Sequence, residues 1–305
     1  MAEDTKRTEE TRFLRGTILQ GVGGFYTVAG DDNGNTFTLR AKKKFRREKI
    51  SPLPGDRILF SPGEGEEHGW IEEILPRKTE CLRPPVANVE TLVLVLAPEP
   101  APDLLLTDKL LARAFAQGMK VMLAVNKTDL SQELAPELAG QYAPAGVPVF
   151  PVCAAKGEGL ERLKAAMAGS LCCLTGQSGA GKSTLLNALL GLELETGEIS
   201  RKIARGKNTT RHVALIRKDG LQVMDTAGFS LLEAERDLAP EKLKERYPEF
   251  LPFEGKCRFR ECLHDREPGC AVAEAARRGE VHPERWRRYR ELLSETRENW
   301  RERYD

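Results

Sequence analysis

Leu171-Cys172-Cys173-Leu174-Thr175-Gly176-Gln177-Ser178-Gly179-Ala180-Gly181-Lys182-Ser183-Thr184 is the stretch that decides the fold. A short apolar run ends in G-x-x-x-x-G-K-S, and a helical pattern begins after Lys182. The glycines let the backbone curl until its N–H groups face a phosphate, and the following helix adds the positive end of its dipole. Lys182 is placed to reach the outer phosphates of a nucleotide, Ser183 to ligate Mg²⁺, and Thr184 to close the binding stretch. A strand, a phosphate loop and a helix in that order belong to an α/β domain with a mainly parallel sheet.

The surrounding sequence keeps the same alternation. Apolar runs at Leu92 to Leu96, Val121 to Val125 and Val147 to Cys153 read as strands, and Asp103 to Gln117 and Leu160 to Ala168 read as helices. His212 to Arg217 and Leu221 to Asp225 predict an antiparallel pair joined across Lys218-Asp219-Gly220.

A phosphate loop does not choose a base. Asn126-Lys127-Thr128-Asp129 does, about fifty residues earlier and directly after the strand Val121 to Val125. A carboxylate at Asp129 can accept from the ring and exocyclic N–H groups of guanine, a donor pair that adenine lacks. Asn126 can hydrogen-bond the base edge and neighbouring loops, and the aliphatic stem of Lys127 can cover the base face. In Cys153-Ala154-Ala155-Lys156, at the end of the next strand, the N–H of Ala155 is the candidate donor to the guanine O6.

Asp225-Thr226-Ala227-Gly228 fits D-x-x-G, in which the aspartate holds Mg²⁺ through water and the glycine N–H senses the γ-phosphate. Between it and the phosphate loop lies Arg205-Gly206-Lys207-Asn208-Thr209-Thr210-Arg211. One of Thr209 and Thr210 is expected to bind Mg²⁺ and the γ-phosphate. Ras-like switches place the phosphate loop before the base clamp. The reversed order here therefore predicts a circularly permuted GTPase domain using GTP or GDP with Mg²⁺.

Upstream, five short strands are punctuated by glycine and proline: Leu14 to Leu19, Phe25 to Val28, Thr36 to Arg40, Arg57 to Phe60 and Trp70 to Leu75. That density suggests a small closed barrel, OB-like or SH3-like. Arg40-Ala41-Lys42-Lys43-Lys44-Phe45-Arg46-Arg47, a basic run with one aromatic, is expected as a loop at the end of a barrel strand. Such loops line oligonucleotide grooves, which makes Arg40, Lys42, Lys43, Lys44, Arg46 and Arg47 candidate RNA contacts. Seven basic residues between Arg201 and Lys218 add a second basic surface over the proposed switch. Arg258, Arg260 and Arg266 extend it, diluted by Glu261, Asp265 and Glu267.

Beyond Phe229 charged helical segments replace strands, and Trp286, Tyr289, Leu293, Thr296 and Trp300 define one helix face. Cys257, Cys262, His264 and Cys270 form C-x4-C-x-H-x5-C. Three thiolates and one imidazole complete a tetrahedral set for one structural Zn²⁺ and leave no open position for catalysis.

The 305 residues suffice for two or three domains, and 47 basic against 46 acidic side chains make any basic surface a local one. Four of the seven cysteines, Cys81, Cys153, Cys172 and Cys173, sit beside apolar runs, which fits reduced thiols. With no long apolar stretch and a charged Met1 to Arg12, the expectation is a cytoplasmic protein with no membrane span and no secretory signal.

The motif order, together with Cys81-Leu82-Arg83-Pro84, Ala87-Asn88-Val89-Glu90 and Gly206-Lys207-Asn208-Thr209-Thr210-Arg211, resembles the ribosome small-subunit-dependent GTPase family known as RsgA. The match covers nearly the whole chain. It implies a multidomain protein: an N-terminal OB-like β-barrel at 1–75, a circularly permuted α/β P-loop GTPase domain at 76–230 and a C-terminal helical zinc-binding domain at 231–305. It also implies action on the small ribosomal subunit and its rRNA in late assembly; a monomer is expected. Two departures matter. Phe229 follows Gly228, so the glutamine that orients water in Ras has no counterpart and hydrolysis without a partner is expected to be slow. Many relatives carry histidine just before the two threonines, where this chain has Asn208; an amide orients water but is no general base, and His212 is the fallback. Two competing readings stay open: an RNA-binding switch with negligible turnover, and an ATP-dependent small-molecule kinase.

Overall fold

The structure, a computed structural model, describes residues 13–32, 34–63, 67–82, 85–192, 213–226 and 238–303. Its first unit is a barrel of β1 (Leu14–Val22), β2 (Phe25–Gly30), β3 (Thr36–Ala41), β4 (Arg57–Ser61) and β5 (Gly69–Ile74). The strand order is β1-β2-β3-β5-β4, and β4 pairs back onto β1 to close it. Only β3 and β5 run parallel within this unit. Period-two alternation fills the interior with Ile18, Val28, Leu39, Ile58, Phe60 and Ile71, all fully buried. This is the OB-like form of the expected barrel.

The basic run departs from expectation. Lys43–Arg47 is a one-turn helix, α1, rather than a loop, because Phe45 is 4% exposed and pins the turn into the barrel core. The aromatic of that run is a core residue, and its basic neighbours face outward.

Between barrel and α/β unit lies a small hairpin that the sequence pattern did not announce, β6 (Glu80–Leu82) and β7 (Pro85–Ala87). Its three-residue strands are too short to show a period. It is fastened to the barrel by the Ala87 N–H, which donates to the Pro54 carbonyl at 2.9 Å, beside buried Asp56, which accepts from the Leu53 N–H at 2.7 Å and from the Arg77 guanidinium at 2.8 Å. The joint is tight: a Cβ on Gly55, whose φ is +92°, would meet the Ala87 carbonyl oxygen at 2.1 Å.

The α/β unit has the order β10-β9-β8-β11-β13-β12, with β8 (Thr91–Leu96), β9 (Lys120–Val125), β10 (Val149–Pro151), β11 (Leu171–Thr175), β12 (Val213–Lys218) and β13 (Leu221–Thr226). All pairings are parallel except β12 with β13, the expected antiparallel pair. β10 is shorter than its apolar run because Pro148 and Pro151 supply no N–H to a ladder. Leu92, Leu94 and Leu96 of β8 pack under α2 (Leu104–Ala116) and α3 (Leu134–Tyr142), a helix not anticipated from sequence. Val93 and Val95 pack on the opposite face under α4 (Leu160–Met167) and α5 (Lys182–Leu190). A bridge from Gln20 on β1 to Ala214 on β12 joins barrel and sheet into one hydrogen-bonded surface.

The C-terminal unit is helical: α6 (Pro240–Leu243), a 3-10 segment Pro248–Phe253, α7 (Ala271–Arg278) and α8 (Pro283–Glu302). Leu243, Tyr247, Phe250, Val272, Tyr289 and Leu293 form its core and meet Ala112 of α2. The expected stripe on α8 is real, with Tyr289, Leu293 and Thr296 buried, but Arg285 and Arg288 are buried beside it.

Candidate functional site

The strand order places a switch point between β8 and β11. From β8 the chain winds outward through β9 to β10, then returns to lay β11 against β8, and β11 ends in the phosphate loop. Loops at the carboxyl ends of such strands line a ligand crevice. Gly176 opens this one with φ +140°; a Cβ there would stand 2.2 Å from the Val95 carbonyl oxygen. Gly181 has φ +86°, and its Cβ would stand 2.4 Å from Asn126 Nδ2. Both positions need glycine, because the base-clamp and β8 loops lie directly against the phosphate loop.

Lys182 Nζ folds back to donate to the carbonyls of Gly176 at 2.8 Å and Gln177 at 2.9 Å. Burial lowers its pKa, and the two carbonyls keep the ammonium inside the loop's curl. Ser178, Gly179 and Ser183 are exposed at the loop surface, while Thr184 is half-buried and Ala180 buried. Gln177 Oε1 accepts from the Asp103 N–H at 3.1 Å, so the start of α2 is tied to the phosphate loop.

Asn126, 2% exposed, clasps three loops. Its Nδ2 donates to the Ala180 carbonyl at 3.1 Å and its Oδ1 accepts from the Ala154 N–H at 3.0 Å. Its amide therefore ties neighbouring loops together. Lys127, with φ +60°, reaches across to donate to the Glu99 carbonyl at 2.7 Å, and Thr128 N–H donates to Val152. The Asp129 side chain keeps 31% of its surface, with Lys156 Nζ at 4.0 Å. Ala155 and Lys156 are exposed beside it.

One neighbour of Asp129 was missed from sequence: the Cys153 thiol donates to Asp129 Oδ1 at 3.3 Å. Cys153 looked like an ordinary strand-end cysteine. Its place at the head of Cys153-Ala154-Ala155-Lys156 was the available signal.

The remaining switch elements fall differently. Asp225 stands near the end of β13, its backbone paired with Ala214 of β12. Asn208, Thr209, Thr210, His212, Gly228 and Phe229 lie outside the described residues, as does most of the Arg201 to Lys218 run.

The candidate metal ligands come from an irregular segment between the 3-10 turn and α7. Cys257, Cys262, His264 and Cys270 bring their donor atoms within 4.8 Å of one another. His264 Nδ1 lies 3.6 Å from Cys257 Sγ and 3.5 Å from Cys270 Sγ. A tetrahedral ion with Zn–S near 2.3 Å and Zn–N near 2.1 Å would set nitrogen–sulfur edges at roughly 3.6 Å, which these two edges match. Burial, aided by Lys244, lowers the His264 pKa to about 4 and keeps the imidazole in its ligating neutral form. N–H groups of His264, Ala271 and Ala273 donate to the sulfurs of Cys262, Cys257 and Cys270. Such donors offset thiolate charge around a metal.

The C-terminal unit meets the α/β unit through a buried charge network. Asp108 of α2, fully buried, accepts from Arg285 Nη1 at 2.5 Å, Arg288 Nε at 2.6 Å and the Tyr142 hydroxyl at 2.7 Å. Arg285 also donates to Glu249 at 2.8 Å, and Arg288 to Gln141 at 2.9 Å. Burial works to lower the Arg285 pKa, but Asp108 and Glu249 outweigh it and raise it. Two arginines thus balance two carboxylates. The signal was a charge within each apolar stripe, Asp108 between Leu104 and Leu111, and Arg285 and Arg288 before Leu292.

In the barrel, Arg40, Lys43, Lys44, Arg46 and Arg47 are exposed, and Lys42 is half-buried and paired with Glu72. No helix among the described residues is long and apolar enough to cross a membrane.

Known proteins match this architecture along almost its whole length. A family model described as RsgA GTPase matches residues 74–235, and one described as RsgA N-terminal domain matches residues 15–71. The small ribosomal subunit biogenesis GTPase RsgA of Ruminiclostridium cellulolyticum is 43% identical over 281 residues, 91% of this chain and 92% of the relative. The protein of the same name from Moorella thermoacetica is 42% identical over 286 residues, 92% of this chain and 97% of the relative. Among solved structures, YjeQ from Thermotoga maritima superposes with a TM-score of 0.80 at 33% identity, covering 93% of this chain and 99% of its own. YloQ, described as a circularly permuted GTPase, superposes at 0.79 with 28% identity, covering 97% and 98%.

Proposed function

Because the chain belongs to the RsgA family of small ribosomal subunit biogenesis GTPases, we propose that it hydrolyses GTP in maturation of the small ribosomal subunit, in the crevice between Gly176–Ser183 and Asn126–Asp129. The observation that carries the placement is the Asn126 clasp, which holds the phosphate loop and the Ala154 loop beside a half-open Asp129 carboxylate. Asp129 would read the guanine donors, with Ala155 N–H facing O6. Lys182 would exchange its two loop carbonyls for phosphate oxygens. Ser183, one of Thr209 and Thr210, and Asp225 through water would hold Mg²⁺, which neutralises charge on the phosphates. Asn208 or His212 would orient the attacking water, and Gly228 would sense the γ-phosphate.

Each unit takes a separate task. The barrel, residues 1–75, contacts rRNA through Arg40, Lys42, Lys43, Lys44, Arg46 and Arg47; residues 76–230 turn over nucleotide; and residues 231–305 hold one structural Zn²⁺ on Cys257, Cys262, His264 and Cys270. The protein works as a cytoplasmic monomer that docks on the small subunit. Phe229 and Asn208 favour slow turnover in isolation. Turnover of GTP measured with and without purified small subunits tests this: the rate should rise at least tenfold on adding subunits, a gain of about 1.4 kcal/mol in barrier. An unchanged, negligible rate would favour a nucleotide-dependent RNA-binding switch.

A further inference from the structure

On the outer face of the barrel, Phe25 of β2 pairs laterally with Arg40 of β3, and Arg40 with Trp70 of β5. Partners in register project to the same side of a sheet. Their chain neighbours Leu39 and Ile71 are fully buried, so this row faces out. The Arg40 guanidinium lies 4.5 Å from the centre of the Phe25 ring. Trp70, on the other side of Arg40, leaves 44% of its surface exposed.

Trp70 borders a groove of about 500 Å³. Arg40, Lys42, Lys43 and Arg46 line the groove as well, with Ile50, itself 43% exposed. No acidic side chain is among the described residues that line it. The groove therefore joins a flat exposed indole and a planar guanidinium to a wall of cations. Cations alone would suit any polyanion. The indole adds a surface that matches the face of an unpaired base, which a duplex keeps stacked inside its helix.

We propose that the Arg40–Trp70 row is a stacking platform for an unpaired base of single-stranded RNA, whose phosphates are held by Lys43 and Arg46. Phe45, the aromatic inside the basic run, borders the same groove but is only 4% exposed, so it offers no ring face for a base to stack on. The inference rests on the reading that the barrel contacts rRNA, and it names the RNA feature bound and a residue outside the basic run. Trp70 carries it, being apolar, exposed and directly beside Arg40. Stacking and phosphate contact differ in their response to salt: loss of a stacked base weakens binding at every salt concentration, whereas loss of a phosphate contact also flattens the salt dependence.

The test is fluorescence anisotropy of a labelled single-stranded RNA of about ten nucleotides, a length that spans one OB fold, titrated with the full chain across a salt series. Trp70→Ala should weaken binding about tenfold with the salt slope unchanged, and Trp70→Phe should recover most of the loss. Arg46→Ala should weaken binding and reduce the slope by about 0.7. GDP affinity and melting temperature serve as controls for folding, and both should match the parent chain. If Trp70→Ala binds like the parent while Lys43→Ala and Arg46→Ala are weakened, stacking is wrong and the barrel–RNA reading stands. Equal competition by an RNA duplex, or by polyglutamate of matched charge, would also overturn stacking, the latter in favour of an acidic protein partner. If the parent chain ignores the oligonucleotide, stacking is overturned, and co-sedimentation of the Lys43→Ala/Arg46→Ala variant with small subunits decides whether the barrel reading falls with it.

Discussion

The phosphate loop and the cysteine–histidine cluster are both suited to a charged ligand, yet they are built by opposite means. The phosphate loop hangs from β11, between β8 and β13 of the sheet, and its curl is fixed by glycine conformation, the Asn126 clasp and Lys182 bonded to its own loop. The cluster sits in an irregular segment whose sulfurs are met by a few N–H donors, with Trp286 Nε1 and the Tyr289 hydroxyl of α8 bonded to the backbone around His264. One site is held open by protein alone. The other places three thiols and an imidazole together, a donor set that could hold a metal ion. The lesson is that losing nucleotide should empty a site, whereas losing metal should dismantle a unit.

The largest effect expected from that contrast follows removal of a ligand. Cys262→Ser, or prolonged chelation, should abolish zinc and strip hydrogen-exchange protection from residues 255–303, since structural zinc sites contribute on the order of 10 kcal/mol to folding. GDP affinity should change less than about threefold, or roughly 0.7 kcal/mol. Collapse of nucleotide binding alongside the zinc unit would break the comparison. Metal analysis of the intact chain should find one zinc per chain.

A smaller effect probes the joint between the two regions. Asp108→Ala leaves Arg285 and Arg288 buried without their shared carboxylate, which should cost about 3–5 kcal/mol in urea unfolding. A loss below about 1 kcal/mol would mean that water reaches the arginines and that the network is not the joint.

The smallest effect sharpens the nucleotide side. Cys153→Ala removes the thiol that bonds Asp129 and should weaken GDP binding by about 0.5–1.5 kcal/mol, while Cys153→Ser should keep most of the affinity. Equal affinity in the alanine variant, read by calorimetry, would show that Asp129 needs no such partner.

Motifs and periods made most of this legible beforehand. The switch-point site follows from Gly176–Ser183 and Asn126–Asp129, because each sits where an apolar run ends. The five barrel strands were visible from alternation and glycine spacing. What stayed hidden depended on partners distant in sequence. Phe45 looked like part of a basic loop, since nothing local tells a core anchor from a surface aromatic. Asp108 pairs with residues 177 and 180 positions away, and a charge within an apolar stripe signals burial without naming its partner. The β6–β7 hairpin is too short for any period.

Asp129 is expected to read guanine while the loop at Gly176 takes the phosphates. The most direct test is the affinity of the chain and of Asp129→Asn for GDP, ADP and xanthosine diphosphate. The parent should prefer GDP over ADP by about a hundredfold or more, roughly 2.7 kcal/mol, and Asp129→Asn should lose GDP and gain xanthosine diphosphate. Equal binding of ADP and GDP by the parent, or an unaltered preference in the variant, would contradict the account.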